Sequence, residues 1–236
     1  MLRIFTDFDG PIMDVSERYY QVYQYCLEAA KEPEQPVTCL SKTEFWRLKR
    51  AQVPERQIGA ISGLHDDQAR RFALLRRETV HNHAYLKYDH PVPYAVNALK
   101  HIQALQGDLA VITMRRQQAL DFALQKFDLE TFFPTHMRYC LPDVYVKTHD
   151  VVEKTRLMEK ALGELPPAAA TWMVGDTEAD IAAARAHDLP VVAVLSGIRD
   201  RDRLSTYDPD FIVDNLKDAV VVIAQQVQSA AGDRPS

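Results

Sequence analysis

Short apolar segments that alternate with helical patterns constrain the fold of this chain more than any other feature. The alternation is clearest after residue 100, where helical hydrophobic spacing separates one apolar segment from the next. The predicted buried strands cover residues 2–5, 109–113, 171–174, 190–195 and 211–213. Parallel strands need long crossover connections, usually helices. The alternation therefore predicts an α/β fold, a Rossmann-like three-layer parallel sheet core with helices on both faces.

A long helical block interrupts this alternation. Between residues 17 and 86 the apolar residues recur at helical spacing, as at Tyr19, Tyr23 and Leu27, and no convincing strand is present. The first strand precedes this block and the other strands follow it. We therefore predict an α/β core at residues 1–14 and 91–236, with an inserted α-helical cap domain at residues 15–90. Ligands in open α/β sheets bind at the carboxyl ends of the strands, so the cap should cover the site.

Composition excludes several classes of protein. The formal net charge of −5 argues against a dedicated nucleic-acid-binding protein. No stretch reaches the 18 or so apolar residues that a membrane-spanning helix needs. Cys26, Cys39 and Cys140 are odd in number and form no CxxC pair, so we expect reduced thiols. The first seven residues already include an acid, unlike a secretory signal. We expect a cytoplasmic protein without nucleic-acid or membrane partners, and the sequence does not indicate its oligomeric state.

Two carboxylates follow the first predicted strand in Asp7-Phe8-Asp9-Gly10. In extended backbone, residues two apart point to the same side, so Asp7 and Asp9 face a common space. They repel each other unless one is protonated or a cation lies between them. A hard divalent ion such as Mg²⁺ suits their oxygen ligands, and Gly10 would let the chain turn closely past the site.

A hydroxyl ends the second core strand. Thr113, together with the following backbone N–H groups that begin at Met114, could hold an oxyanion at the edge of the sheet. Thr113 could equally be an ordinary β-branched strand residue.

A lysine precedes the third core strand. Lys154 lies near the start of a predicted helix, where its ammonium could neutralise a carboxylate and a phosphoryl oxygen. Lys147, seven residues earlier, is a rival for this role.

A further acidic pair follows the strand at 171–174. Asp176 comes directly after Gly175, at a position suited to bind a metal ion, and Asp180 lies four residues later in the first turn of a helix. Acids also favour helix N-termini through capping and the helix dipole alone. The candidates nevertheless all fall at carboxyl ends of predicted strands or in the elements that adjoin them.

In their order and placement, these motifs resemble those of the haloacid dehalogenase-like superfamily of phosphatases and phosphotransferases. The DxDG motif of the family matches Asp7 to Gly10, its strand ending in Thr or Ser matches Thr113, its lysine matches Lys154, and its GDxxxD motif matches Gly175 to Asp180. The inserted helical cap of the family corresponds to the block at 15–90. The resemblance thus extends over nearly the whole chain.

The resemblance implies a Mg²⁺-dependent phosphomonoesterase that acts on a small organic phosphate ester. It makes Asp7 the nucleophile that takes the phosphoryl group and Asp9 the general acid and base. Thr113, Met114 and Lys154 would bind the phosphoryl oxygens. Mg²⁺ would be held by Asp7, the backbone carbonyl of Asp9 and Asp176, with Asp180 in support.

Other functions stay open at this point. A phosphomutase uses the same core, and a non-catalytic phosphate-binding protein could keep the fold without turnover. A signal receiver with a lasting aspartyl-phosphate is disfavoured, because receivers lack a cap and have an adjacent acid pair. Two positions depart from the family pattern, namely Pro11 after the first motif and, after Thr113, Met114 followed by Arg115 and Arg116. Arg115 could reach an anionic substrate or could begin a solvated helix.

The cap is expected to set the substrate. Several aromatic residues and histidines of the cap could face the site, although at helical spacing such residues more often belong to a core. These candidates are Tyr19, Tyr20, Phe45, Trp46 and the four histidines of residues 15–90. The arginines at positions 70, 71, 76 and 77 are interpreted as a solvated face.

Overall fold

A six-stranded parallel sheet forms the centre of the protein. The computed structural model describes residues 1–145 and 148–232 of the 236. The strands are β1 (Leu2–Thr6), β2 (Met13–Asp14), β3 (His90–Pro91), β4 (Asp108–Arg116), β5 (Arg138–Leu141), β6 (Ala170–Gly175), β7 (Val191–Val194) and β8 (Phe211–Val213). The large sheet has the order β5, β4, β1, β6, β7, β8, and each adjacent pair is parallel.

Helices after residue 90 cover both faces of this sheet, and the four helices before it pack against one another. The helices are α1 (Ser16–Ala30), α2 (Lys42–Arg50), α3 (Glu55–Ile61), α4 (Asp66–Thr79), α5 (Ala95–Ala104), α6 (Gln117–Lys126), α7 (Asp150–Glu164), α8 (Glu178–Arg185), α9 (Arg201–Ser205) and α10 (Leu216–Gly232). Ile4 of β1 packs in a cluster with α5, α6 and α10, whereas the next residue, Phe5, packs in a cluster with α7 and α8. Successive residues of a strand point to opposite faces, so the three-layer α/β fold predicted from the sequence is confirmed.

The first four helices bury a hydrophobic cluster of their own. Tyr23, Phe45 and Phe72 are fully buried in it, and the rings of Tyr23 and Phe45 stack with centroids 4.6 Å apart. The chain enters and leaves these helices through the short β2 and β3, which pair antiparallel. The cap boundaries at residues 14/15 and 90/91 stay a prediction, and we call residues 15–90 the helical block.

Several elements differ from the sequence-based expectation. The second core strand, β4, continues to Arg116, three residues beyond Thr113. It pairs there with β5, a strand that the hydrophobic pattern did not predict. The last helix continues to Gly232, so the expected frayed tail from Ser229 is helical in its first part. Residues 233–236 lie outside the described residues. Within the described part of the chain, no helix is long and apolar enough to cross a membrane.

Candidate active site

The register of the sheet brings three predicted site residues to one edge. The last residue of β1 pairs with Val111 on one side and with Val174 on the other. Asp7 follows that residue directly, and Thr113 and Asp176 each lie two residues beyond the paired valines. Because parallel strands end at the same edge, these three side chains line one cavity of about 560 Å³.

The same cavity collects nearly all the other predicted site residues. Asp9, Met114 and Lys154 also line it. Asp180 is fully buried beside the cavity, outside its lining. Lys147, the alternative to Lys154, lies outside the described residues.

Lys154 joins two of the acids. Its ammonium is 1% exposed and lies 2.5 Å from Asp7 Oδ2 and 2.5 Å from Asp180 Oδ1. Burial alone would lower the pKa of Lys154, but the contacts with Asp180 and Asp7 raise it. The site therefore contains a fixed positive charge beside Asp7.

Asp180 has its oxygens fully engaged by the protein. Its Oδ2 accepts hydrogen bonds from the backbone N–H of Asp176 at 3.1 Å, and from the backbone N–H and hydroxyl of Thr177 at 3.0 and 2.8 Å. Its Oδ1 contacts Lys154. The bond from the Thr177 backbone N–H is one half of the capping box of α8, whose other half joins the Asp180 backbone N–H to the Thr177 side chain. Asp180 thus holds Lys154 and the strand end in place.

Asp7 and Asp176 fit a divalent cation. Asp7, Asp176 and Asp180 each offer a carboxylate oxygen within 4.8 Å of the other two. Asp176 Oδ2 accepts from the backbone N–H of Ile198 at 2.6 Å, while its buried Oδ1 has no hydrogen-bond partner among the described residues. A buried oxygen without a partner is costly unless a cation or water contacts it. Since Asp180 Oδ1 is already paired with Lys154, Asp7 and Asp176 are the side chains suited to hold a divalent cation.

The raised pKa values of Asp7 and Asp176 are consistent with a cation site between them. Burial raises the pKa of Asp7 to about 7, against the opposing effect of Lys154. Burial, together with the charges of Asp7 and Asp180, raises the pKa of Asp176 well above its ordinary value. A cation between the two carboxylates would stabilise their ionised forms.

Asp9 is bound differently from Asp7. Its Oδ1 lies 2.5 Å from Arg115 Nε, and its Oδ2 lies 2.9 Å from Arg18 Nη2. Burial would raise the pKa of Asp9, but Arg115 and Arg18 lower it overall. Both arginines also contact Asp89.

Sequence reasoning did not single out Arg18 or Asp89, and no local pattern distinguishes them from other charged residues of the block. The solvated helix start considered for Arg115 is wrong, because Arg115 is 5% exposed and lies within β4. Because β4 extends past Thr113, Arg115 is buried as part of this strand.

The helical block supplies the opposite wall of the cavity. Tyr19 and His81 line it, as two of the predicted candidates, and so do Lys49 and Glu55. Among the described residues, the other aromatic candidates lie outside this lining and pack in or against the hydrophobic cluster of the block; they are Tyr20, Phe45 and Trp46.

The interpretation of the four arginines as a solvated face is wrong for Arg76. Its side chain is 1% exposed and lies 2.8 Å from Glu55 Oε2. It also donates to the backbone carbonyl of Tyr19 at 2.8 Å and lies over the Phe45 ring. Helical spacing places Arg76 on the buried face of α4, where ion pairing with Glu55 offsets the cost of burial.

Comparison with known proteins gives one family match. The model of the HAD-hydrolase-like family, where HAD denotes haloacid dehalogenase, matches residues 154–219. That stretch contains Lys154, Asp176 and Asp180 of the site.

Two curated relatives are both named pyrophosphatase PpaX. The protein from Oceanobacillus iheyensis is 25% identical over 132 residues, which are 56% of this chain and 59% of that protein. The protein from Anoxybacillus flavithermus is 28% identical over 117 residues, 49% of this chain and 51% of that protein. The chain thus spans between half and three fifths of the length of these relatives.

The fold has close counterparts among solved structures. A haloacid dehalogenase-like family protein from Streptococcus pneumoniae superposes with a TM-score of 0.67 at 17% identity, and the match covers 94% of this chain and 97% of that one. At this identity the likeness concerns the fold alone. In the order of its motifs, in the match of the family model to residues 154–219 and in its fold, the chain is similar to the haloacid dehalogenase-like superfamily.

Proposed function

We propose that the protein is a Mg²⁺-dependent phosphatase that hydrolyses a small organic phosphate ester through a phosphorylated Asp7. The observation that supports this most strongly is the arrangement at the sheet edge. Asp7 shares one cavity with Lys154, Thr113 and Asp176, and Lys154 Nζ lies 2.5 Å from the Asp7 carboxylate. This combines a nucleophile, a fixed cation, a hydroxyl and an acid with an unpartnered oxygen.

The proposed reaction has two steps, each assigned to residues of this chain. In the first, an Asp7 oxygen attacks phosphorus, the bond to the alcohol oxygen breaks, and Asp9 in its protonated form gives its proton to that oxygen, which leaves a carboxylate that Arg115 and Arg18 stabilise. In the second, Asp9 takes a proton from water, the water oxygen attacks phosphorus, and the bond to Asp7 breaks. A covalent intermediate divides one difficult displacement into two easier ones, and general acid–base catalysis assists both.

The phosphoryl oxygens have matching donors. We assign them to the ammonium of Lys154, the hydroxyl of Thr113 and the backbone N–H of Met114, all in the cavity lining. Mg²⁺ would be held by Asp7, the backbone carbonyl of Asp9 and Asp176, with Asp180 holding Lys154 in place. When bound, the ion would supply positive charge that offsets repulsion between the carboxylate and the phosphate.

The cavity walls suggest the class of substrate. The helical block holds two more basic than acidic side chains, whereas the rest of the chain holds seven more acidic than basic ones. Lys49, Arg76 and Arg77 of the block line the cavity, and one acid of the block, Glu55, pairs there with Lys49 and Arg76. The remaining positive charge favours a small anionic compound. Since both curated relatives are named pyrophosphatase, pyrophosphate is a second candidate substrate. A phosphomutase built on the same core is the alternative reaction.

The test is phosphate release from a broad panel of monoesters and pyrophosphate, with Mg²⁺ and with EDTA. Wild type should release phosphate only with the metal, and Asp7→Asn should not release it at all. Asp7→Asn with wild-type turnover would contradict the proposed nucleophile. Conversion of a sugar phosphate that needs a sugar bisphosphate primer would indicate the mutase instead.

A cytoplasmic location belongs to this proposal. It is supported by the three cysteines, all of which are free thiols in the structure. Cell fractionation would test it, and recovery outside the cytoplasmic fraction would contradict it.

A further inference from the structure

Four charged side chains form a closed ring beside the cavity. Asp9 contacts Arg18 at 2.9 Å and Arg115 at 2.5 Å. Asp89 contacts the same two arginines: its Oδ1 lies 3.0 Å from Arg18 Nε, and its Oδ2 lies 2.6 Å from Arg115 Nη2. Each carboxylate thus bridges both guanidinium groups, and each of its two oxygens lies against a different arginine. We call Asp9, Arg18, Asp89 and Arg115 the four-charge ring.

The ring joins four separate parts of the fold. Asp9 follows β1, Arg18 lies in the first turns of α1, Asp89 directly precedes β3, and Arg115 lies in β4. It therefore connects the two segments through which the chain enters and leaves the helical block with the edge of the sheet. Arg115 is further held by its backbone N–H, which donates to the Thr113 hydroxyl at 3.2 Å, and by the Phe8 ring, 4.9 Å below its guanidinium.

Burial of this ring is costly for folding. The side chains of Arg18, Asp89 and Arg115 are 1%, 1% and 3% exposed, whereas that of Asp9 is 25% exposed. Removing charges from water costs several kcal/mol per ion even when they are paired, and apolar residues often stabilise such a site as well or better. The ring is thus poorly suited to stabilise the fold alone, and its most exposed member, Asp9, lines the cavity together with Arg115.

We propose that Arg18, Asp89 and Arg115 are positioning residues that fix the orientation of the Asp9 carboxylate for proton transfer. The inference rests on the proposed phosphatase function. Two guanidinium groups, one on each oxygen, prevent the carboxylate from rotating. Asp89 does not line the cavity and acts only through the arginines, which it holds in one relative orientation.

The test is Asp89→Asn, which keeps the size of the side chain and removes its charge. The arginines then lose one of their two anchors, and the Asp9 carboxylate shifts. A misplacement of about 1 Å at a reacting group can cost about 100-fold in rate, so kcat should fall by roughly 10-fold to 100-fold. KM should stay within about 3-fold, because the groups that bind phosphate are unchanged.

The leaving group separates positioning from a general structural effect. p-Nitrophenolate leaves with little protonation, whereas the alkoxide of glycerol phosphate needs a proton from Asp9. Asp89→Asn should therefore lose more activity on glycerol phosphate than on p-nitrophenyl phosphate. If Asp89→Asn does not fold, Arg18→Lys serves in its place, since lysine keeps the charge but lacks the planar fork that spans two carboxylates.

Asp108→Asn is the matched control. Asp108 pairs with Arg3 at 3.0 Å, and Arg3 is 2% exposed, but the pair lies near the start of β1 and β4, at the other end of the strands. This variant should lose stability without a leaving-group-dependent loss of kcat.

Three outcomes decide the inference. A larger loss on glycerol phosphate in the ring variant, and not in the control, supports it. Equal losses on both esters, a change confined to KM, or the same pattern in Asp108→Asn would overturn it while leaving the phosphatase function intact. No hydrolysis of any ester by wild type would overturn the proposed function and this inference together.

Discussion

Replacement of Lys154 by methionine gives the most direct test of the electrostatics of the site. Lys154 is the cation that contacts both Asp7 and Asp180, each at 2.5 Å. Methionine is unbranched and of similar length, so Lys154→Met removes the charge while filling most of the space. Asp7, Asp176 and Asp180 would then be three buried acids without this opposing charge.

The expected cost follows from this burial. Removing one partner of a buried ion pair typically destabilises a protein by about 3–5 kcal/mol, because a buried charge is left uncompensated. Typical unfolding free energies are about 5–15 kcal/mol. Lys154→Met should therefore fold but lose a large part of its stability when no metal is bound.

The assay is urea unfolding in EDTA at neutral pH. Lys160→Met is the control, because Lys160 lies on the same helix, is 62% exposed and reaches Glu164 only at 3.9 Å. Exposed pairs of this kind contribute about 0–1 kcal/mol. Burial alone would lower the pKa of Lys154, but Asp180 and Asp7 raise it above the ordinary value of 10.5. Its contribution is therefore present below pH 10.5 and is lost only as the pH rises through the raised value.

A small difference in unfolding free energy between Lys154→Met and wild type would refute this prediction. If Lys154→Met loses less than about 1 kcal/mol in EDTA, within the range of a surface pair, then Lys154 does not compensate the buried acids.

Two further predictions concern the metal and the turn beside it. Mg²⁺ should raise the unfolding temperature of wild type, since a ligand that binds only the folded state stabilises it. Asp176→Asn should abolish that increase. If differential scanning fluorimetry shows the same increase in the variant, Asp176 is not a metal ligand. Gly10→Ala should lose about 1–3 kcal/mol, because Gly10 has φ +89° and an added Cβ would lie 2.4 Å from Asp176 Cγ. Gly163→Ala is its control: an added Cβ there meets no atom within 4 Å, and alanine in a helix should stabilise by up to about 1 kcal/mol. Equal stabilities of the two variants in chemical denaturation would contradict the steric argument.

Local patterns in the chain were enough to predict the layers and the edge where the site lies. Strand burial follows from short apolar runs, and parallel strands necessarily end at one edge. The sequence alone therefore places Asp7, Thr113 and Asp176 together, and in the structure they line one cavity. The strand β5 was missed because its four residues, Arg138–Leu141, alternate in burial and begin with a charged residue.

Only the folded chain decided which charges pair. Arg18, Asp89 and Arg115 come from segments far apart in sequence, and nothing in the local patterns of Arg18 and Asp89 distinguishes them from solvated charges. Arg76 was misinterpreted for the same reason, since its partner Glu55 belongs to another helix. Hydrophobic periodicity reports which face of an element is buried, but the partner of a buried charge depends on how distant elements pack. The residues that hold Asp9 therefore became visible only in the tertiary structure.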